Sequence, residues 1–296
     1  MKNFTEQRNP TSMNLDQMTI EEMLELMNHQ DKLIPQAIHK VLPEIKKMIE
    51  VVVESFNNNG RLIYIGAGTS GRLGILDAVE CVPTFGTSPE MVVGLIAGGE
   101  TAIKDAVEGA EDSKELAEKD LKELHLNEKD VVVGIAASGR TPYVIGGLEY
   151  AKKMGAQTGA ISNNENTKVS AAADYPIEII TGPEVLTGST RLKAGTSQKL
   201  VLNMISTISM VKIGKAYENL MVDVQATNEK LVDRSKRIIM EATGIGYEEA
   251  ENAFHEAQSV KLSIVMILAD VSKEVAEKVL AEKNGLVEDA IQKLTT

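Results

Sequence analysis

Cys81 is the only cysteine among 296 residues, so an intrachain disulfide is impossible and no thiolate cluster exists to bind a metal. A reducing, cytoplasmic compartment is the expectation. Tryptophan is absent and aromatics make up only 3% of the chain, so the core must be aliphatic. The four histidines, His29, His39, His125 and His255, show no HExxH or other ligand spacing, and no metal centre is expected. No apolar run approaches the roughly 20 residues of a membrane helix, and MKNFTEQRNP lacks the apolar stretch of a secretory leader. A membrane partner is therefore not expected. Positive charge is also scarce: 31 Lys and Arg face 43 Asp and Glu, a formal net charge of −12. That balance speaks against nucleic acid as a partner. It leaves room for a small anion held by local amides and a few basic side chains.

What remains is an ordinary globular composition, 43% hydrophobic and 25% charged. Residues 1–18 are polar and irregular, an arm or a frayed end. Thr19-Ile20-Glu21-Glu22 has capping-box spacing and opens a helical stretch. A longer helical pattern runs from about Asp31 to Phe56 and stops at NNNG, 57–60. Then short β-branched runs alternate with helical segments: RLIYIG (61–66), MVVGLIAG (91–98), DVVVGIAA (130–137), AQTGAIS (156–162) and YPIEIIT (175–181). Near-continuous apolar strands alternating with helices imply a doubly wound parallel sheet, an α/β fold with both faces covered. After Lys230 the segments YEEAENAFHEAQ, VKLSIVMILA, KEVAEKVLAEKNG and LVEDAIQKL read as a small helical bundle. The expected organisation is an N-terminal arm with helices over 1–44, the α/β domain over 45–225, and the bundle over 230–296.

Two strand-to-helix junctions echo each other. LIYIGAGTSGRLGIL and VVVGIAASGRTPYVI both read apolar strand, small residues, Ser-Gly-Arg, helix. Gly66-x-Gly68-x-x-Gly71 alone would also fit a dinucleotide turn. That reading wants an acidic residue ending the second strand, and Ala97-Gly98-Gly99 stands there instead. Free amides at a helix N-terminus plus hydroxyl donors suit a phosphate, and such loops lie at the carboxyl ends of the strands. The candidate contacts are Thr69, Ser70 and Gly71 in the first loop, and Ser138, Gly139, Arg140 and Thr141 in the second. A third hydroxyl-rich, basic stretch, Gly188 to Lys193, adds Ser189 and Lys193, with Glu184 just before it.

Two carboxylates stand out as acid–base candidates. Leu73, Leu76 and Glu80 share a helical face, where burial would raise the carboxyl pKa and suit it to a general acid. Helix-end glutamates also commonly face solvent, and Pro83 is expected to end this helix. Glu111 sits where Gly109 interrupts a helix and Asp112-x-x-Glu115 could cap the next. Spacing does not select these two over Glu100, Glu108 or Glu184.

Taken together, YIGAGTSGRLGILDAVE, VVGLIAGG, VEGAED, GIAASGRTPYV and GPEVLTGSTRLKAGTSQKLVLNMIST (182–207) resemble the N-acetylmuramic acid 6-phosphate etherase family. The likeness runs from TEQRNP into the C-terminal helices. The 182–199 segment is shared with the glucokinase regulatory protein group. The resemblance implies a sugar-isomerase-type (SIS) domain whose Gly-rich loop holds a sugar 6-phosphate. It singles out Glu80 as the acid that protonates departing lactate and Glu111 as the base at C2. It also implies no cofactor and a homodimer. Two rivals remain at this stage: a non-catalytic sugar-phosphate sensor, and an aldose–ketose isomerase.

Overall fold

The computed structural model describes residues 3–105, 107–224 and 229–296. By contacts the chain forms two compact units, Met1–Val79 with Pro89–Ser206, and Glu80–Ser88 with Thr207–Thr296.

In the first unit the arm is ordered. Short 3-10 turns at Phe4–Glu6, Pro10–Ser12 and Leu15–Gln17 lead into α1 (Ile20–Asp31). Thr19 and Glu22 form the capping box that their spacing predicts: each reaches the other's backbone N–H. The single helical pattern expected over 31–56 is two helices, α2 (Leu33–His39) and α3 (Leu42–Asn57). Pro43 explains the break. It lacks an N–H and its ring clashes with the preceding turn, so it belongs in the first turn of a new helix.

The strands follow the expected order: β1 (Leu62–Gly66), α4 (Gly68–Phe85), β2 (Val92–Ile96), a short α5 (Thr101–Lys104), α6 (Lys114–Glu123), β3 (Val131–Ala136), α7 (Pro142–Lys153), β4 (Gln157–Ser162), α8 (Lys168–Ala172), β5 (Tyr175–Glu178) and α9 (Lys193–Lys212). They form one five-stranded parallel sheet in the order β2-β1-β3-β4-β5. Alternate residues point to opposite faces. Ile63, Ile65, Val132, Ala136 and Ala160 join Tyr143, Val144 and Leu148 of α7 in one apolar layer. On the other face, glycines let helices approach closely: a Cβ at Gly74 would meet the Tyr64 Cβ at 2.9 Å, and one at Gly159 would meet the Met48 sulfur at 2.3 Å. Helices thus cover both faces, as the near-continuous apolar strands require.

The strand order reverses at β1, whose neighbours are β2 and β3. Connections leave to opposite sides there, and a crevice opens beyond the carboxyl ends of β1 and β3. Those ends carry the two Ser-Gly-Arg loops. Pro83 does not end α4 as expected. The helix continues to Phe85 with Pro83 inside it, one ladder bond left unmade at the missing N–H.

The second unit holds a two-stranded hairpin, β6 (Ala216–Tyr217) with β7 (Leu220–Met221), and five helices: α10 (Glu229–Thr243), α11 (Tyr247–Ala257), α12 (Val260–Ala269), α13 (Lys273–Glu282) and α14 (Val287–Thr295). The last four match the expected segments, and α10 is additional. Its core includes Ile239, Ala250, Ile264, Val265, Ala276 and Ala290. No helix among the described residues is long and apolar enough to cross a membrane.

Candidate active site

The first loop is tight because Gly66 and Gly71 nearly touch. A Cβ on Gly66 would lie 2.7 Å from the Gly71 nitrogen. This packing starts α4 at Gly68, two residues after the strand, with φ of +51°. Thr69, Ser70, Gly71 and Arg72 therefore lie within the first turns of α4. Thr69 is half-buried. Ser70 is buried, and its hydroxyl donates to Gln198 Oε1 at 2.8 Å.

The second loop is built differently. Ser138, Gly139 and Arg140 precede α7, and Thr141 is its N-cap without a side-chain capping bond. Gly139 has φ of +67°, and a Cβ there would fall 2.3 Å from the Thr167 side chain. Its N–H donates to Ala136 O and its carbonyl accepts from Val169 N, which locks the turn. Ser138 is half-buried, its Oγ accepting from Arg140 N at 3.3 Å. Arg140 is exposed.

Two asparagines after β4 join these loops. Asn163 Oδ1 accepts from Gln198 Nε2 at 3.1 Å, and its Nδ2 donates to Ser197 Oγ and Ile179 O. Asn164 Nδ2 donates to Ala137 O and to Thr5 Oγ1, and Asn164 Oδ1 accepts from Thr5 N. One polar network thus connects Ser70, the Ser138 loop, the start of α9 and the N-terminal arm. Neither asparagine nor Gln198 stands out by sequence pattern. The Ser-Asn-Asn run ending a strand was the available signal.

Glu184 and Lys193 are present but occupied. Glu184 is fully buried, and its two oxygens accept from Lys193 N at 3.0 Å and Ala194 N at 2.9 Å, capping α9. Burial pushes its carboxyl above the ordinary carboxylate range, against those two amide bonds. Lys193 is buried, and its ammonium donates to Gln30 Oε1 at 2.7 Å. Burial lowers its pKa. Asn9 donates to the same Gln30 oxygen and to Pro183 O, tying the arm to the 182–193 loop. Ser189 is half-buried in that loop, its N–H donating to Leu186 O.

Glu111 lies on a 3-10 turn, Ala110–Asp112, after Gly109 in left-handed conformation. The next helix is capped by Ser113, which accepts from Leu116 N at 3.1 Å, rather than by Asp112. Glu111 lines a cavity of 290 Å³ together with Ala67, Gly68, Arg72 and Ala97. The fold thus brings Glu111 to the first loop, at the carboxyl ends of β1 and β2. Glu80 lies about three turns beyond Gly68 on α4. It is exposed, and Leu76 on its face is 51% exposed. The single chain does not supply the apolar surroundings that the Leu73–Leu76–Glu80 spacing suggests.

Asp77 is a buried carboxylate on α4 that the pattern reading passed over. It accepts from Tyr64 Oη at 3.0 Å, Asn203 Nδ2 at 2.8 Å and Ser206 Oγ at 3.0 Å. Burial raises its pKa despite these donors.

Comparison with known proteins follows the same lines. The model of the glucokinase regulatory protein N-terminal SIS domain matches residues 44–152, and the SIS domain model matches residues 112–208. An N-acetylmuramic acid 6-phosphate etherase of Exiguobacterium sp. is 64% identical over 97% of this chain and 98% of its own length. One from Staphylococcus saprophyticus is 59% identical over 98% of both. Among solved structures, a candidate phosphosugar isomerase involved in capsule formation from Bacteroides fragilis NCTC 9343 superimposes with a TM-score of 0.50. It is 20% identical and covers 64% of this chain and 91% of that one, a likeness of fold alone.

Proposed function

The chain belongs to the N-acetylmuramic acid 6-phosphate etherase family, and from that premise we propose that it cleaves the D-lactyl ether of N-acetylmuramic acid 6-phosphate. The products are N-acetylglucosamine 6-phosphate and D-lactate, in cell-wall sugar recycling. The observation that carries this reading is the 64% identity to an etherase across 97% of the chain.

The chemistry sets what the residues must do. A dialkyl ether resists direct displacement. In the open-chain sugar the C1 aldehyde acidifies the C2 proton. Glu111 takes that proton, and the electron pair forms the C2–C3 double bond as the C3–O bond breaks. Glu80 gives the leaving lactate oxygen its proton. Water then adds at C3 of the unsaturated aldehyde and C2 is reprotonated, which restores both carboxyl groups. Each proton transfer contributes about 10²–10⁴-fold.

The phosphate goes to the switch-point loops. The free amides opening α4, the Thr69 and Ser138 hydroxyls and the uncapped N-terminus of α7 at Thr141 offer donors without a fixed countercharge. Gly71 and Gly139 let the two loops pack tightly, against Gly66 and Ile96 and against Thr167. Ser70, Glu184 and Lys193 act by holding the loops in place, since their polar atoms are committed within the fold. Ser189 and Arg140 stand at the rims of their loops.

The working form in this reading is a cytoplasmic homodimer. Ile20 and Leu24 on α1 are 75% and 65% exposed, and Leu76 and Val79 beside Glu80 are 51% and 61% exposed. Apolar area of this kind favours burial against a second copy, which would also dehydrate Glu80. A monomer mass in solution at assay concentration would count against it.

Free lactate released on incubation with the substrate tests the reading. Binding with no lactate released would instead make the chain a sugar-phosphate sensor. Isomerised sugar without lactate would make it an isomerase. In water labelled with heavy oxygen, label should enter C3 of the sugar. Label in the lactate hydroxyl would mean displacement at the lactyl carbon and would exclude elimination.

A further inference from the structure

Arg72 is the only cation among the described residues lining the 290 Å³ cavity beside Glu111. It is half-buried, and its Nε donates to Ile103 O at 2.9 Å. That bond fixes the plane of the guanidinium. The two terminal nitrogens have no hydrogen-bond or ion-pair partner among the described residues. Asp105, Glu108 and Glu111 line the same cavity, and none is within ion-pair distance of Arg72. An orientated guanidinium with its fork empty is a receptor for a planar anion.

Under the etherase reading, on which this inference rests, the substrate carries two anions. The 6-phosphate is matched by the amides and hydroxyls of the two loops. The lactyl carboxylate hangs from C3, next to the C2 proton that Glu111 removes, so it must enter the same cavity. There the charged side chains other than Arg72 are all acidic: Asp105, Glu108 and Glu111. We propose that Arg72 is a specificity-determining residue: its terminal nitrogens pair with the lactyl carboxylate, select the ether over sugar phosphates that lack the acid, and hold the C3–O bond beside Glu111. The second Ser-Gly-Arg triplet cannot serve here, because Arg140 is exposed and lines a separate groove with Lys168 and Glu149.

The test compares N-acetylmuramic acid 6-phosphate with its lactamide, in which the carboxylate is a neutral amide. Losing a charged hydrogen-bond pair should make wild-type kcat/KM for the acid exceed that for the amide by about 10- to 100-fold. In Arg72→Gln that ratio should collapse toward one, through loss on the acid and little change on the amide. A purely structural role, through the Ile103 bond or through phosphate binding, would lower both substrates alike and leave the ratio intact, and that result overturns the proposal. Should Arg72→Gln not fold, Arg72→Lys keeps the charge without the planar fork, and should lower the acid-to-amide ratio with little change on the amide. The wild type alone is also decisive, since equal turnover of acid and amide would overturn the idea. If lactate is released from neither substrate although both bind, the etherase reading fails. The acid-to-amide ratio, then read as dissociation constants by calorimetry, still decides the role of Arg72.

Discussion

Ser70, Gly71 and Arg72 lie inside the opening turns of α4, whereas Ser138, Gly139 and Arg140 lie in a turn that ends before α7 begins. The letters are the same and the strands are neighbours in register, Gly66 beside Ile135. In the first loop the serine is buried on Gln198 and the arginine faces the cavity with Glu111. In the second the serine is half-buried and the arginine is exposed. What differs is where the helix starts. A single residue, Ala67, separates β1 from its serine-bearing helix, while β3 is followed by a left-handed glycine locked against Thr167. Sequence repetition therefore marks two neighbouring strand ends of one sheet. It does not assign them one job.

The sharpest division between the loops is chemical, because Glu111 lies beside the first. Glu111→Gln should cut lactate release by about 10²–10⁴-fold. Exchange of the C2 hydrogen with heavy water should vanish with it, whereas in Glu80→Gln exchange should outlast lactate release. Wild-type turnover in both variants would remove both glutamates from the mechanism.

Next in size are the glycines. Gly139→Ala meets a left-handed φ and a packed neighbour together, and should cost about 2–4 kcal/mol of stability in denaturant titration. Gly68→Ala meets a left-handed φ in open space, and should cost about 1–2 kcal/mol. Equal losses would mean that the second loop is no more constrained than the first.

The serines should separate structure from binding. Ser70→Ala strands the buried Gln198 oxygen and should cost about 1–3 kcal/mol of stability. Ser138→Ala should leave stability nearly unchanged. It should weaken the phosphorylated sugar by about 1.5–3 kcal/mol in calorimetry, and the unphosphorylated sugar much less. Equal weakening of both sugars would exclude a phosphate role for the second loop.

The smallest effect is a pH dependence at Asp77, under the first loop. Its folded pKa is raised by burial. A raised carboxyl contributes stability that is fully present below its unfolded pKa of about 3.9 and is lost as pH rises through the folded value. The stability difference between wild type and Asp77→Asn should therefore move against wild type as pH climbs from about 3.5. A difference that is flat, or of the opposite slope, would show that the three donors outweigh burial.

The sheet and both loops were legible because apolar runs of strand length, each ended by small residues, have few other ways to fold. The roles inside the loops were less so. Nothing in Arg72 or Arg140 tells which guanidinium faces a cavity, since that depends on whether the helix has begun. Glu184 reads as a site residue beside a hydroxyl-rich loop, and the bonds that it accepts from the amides of α9 are not legible in the sequence. Pro83 reads as a stop, yet α4 runs past it to Phe85. The apolar face around Glu80 is real as a pattern. In the chain by itself that face is exposed.

The ties between the arm and the site loops also set an order in time. Thr5 finds Asn164 across 159 residues, and Gln30 finds Lys193 across 163. At about 5–20 residues per second of synthesis, the earlier member of each pair waits on the order of 8–30 s before its partner exists. The arm is thus translated well before the loops that fasten it. It docks only onto loops that the sheet has already assembled. A ribosome-tethered chain that stops before Asn164 should leave residues 3–9 open to protease, and one that extends past α9 should protect them.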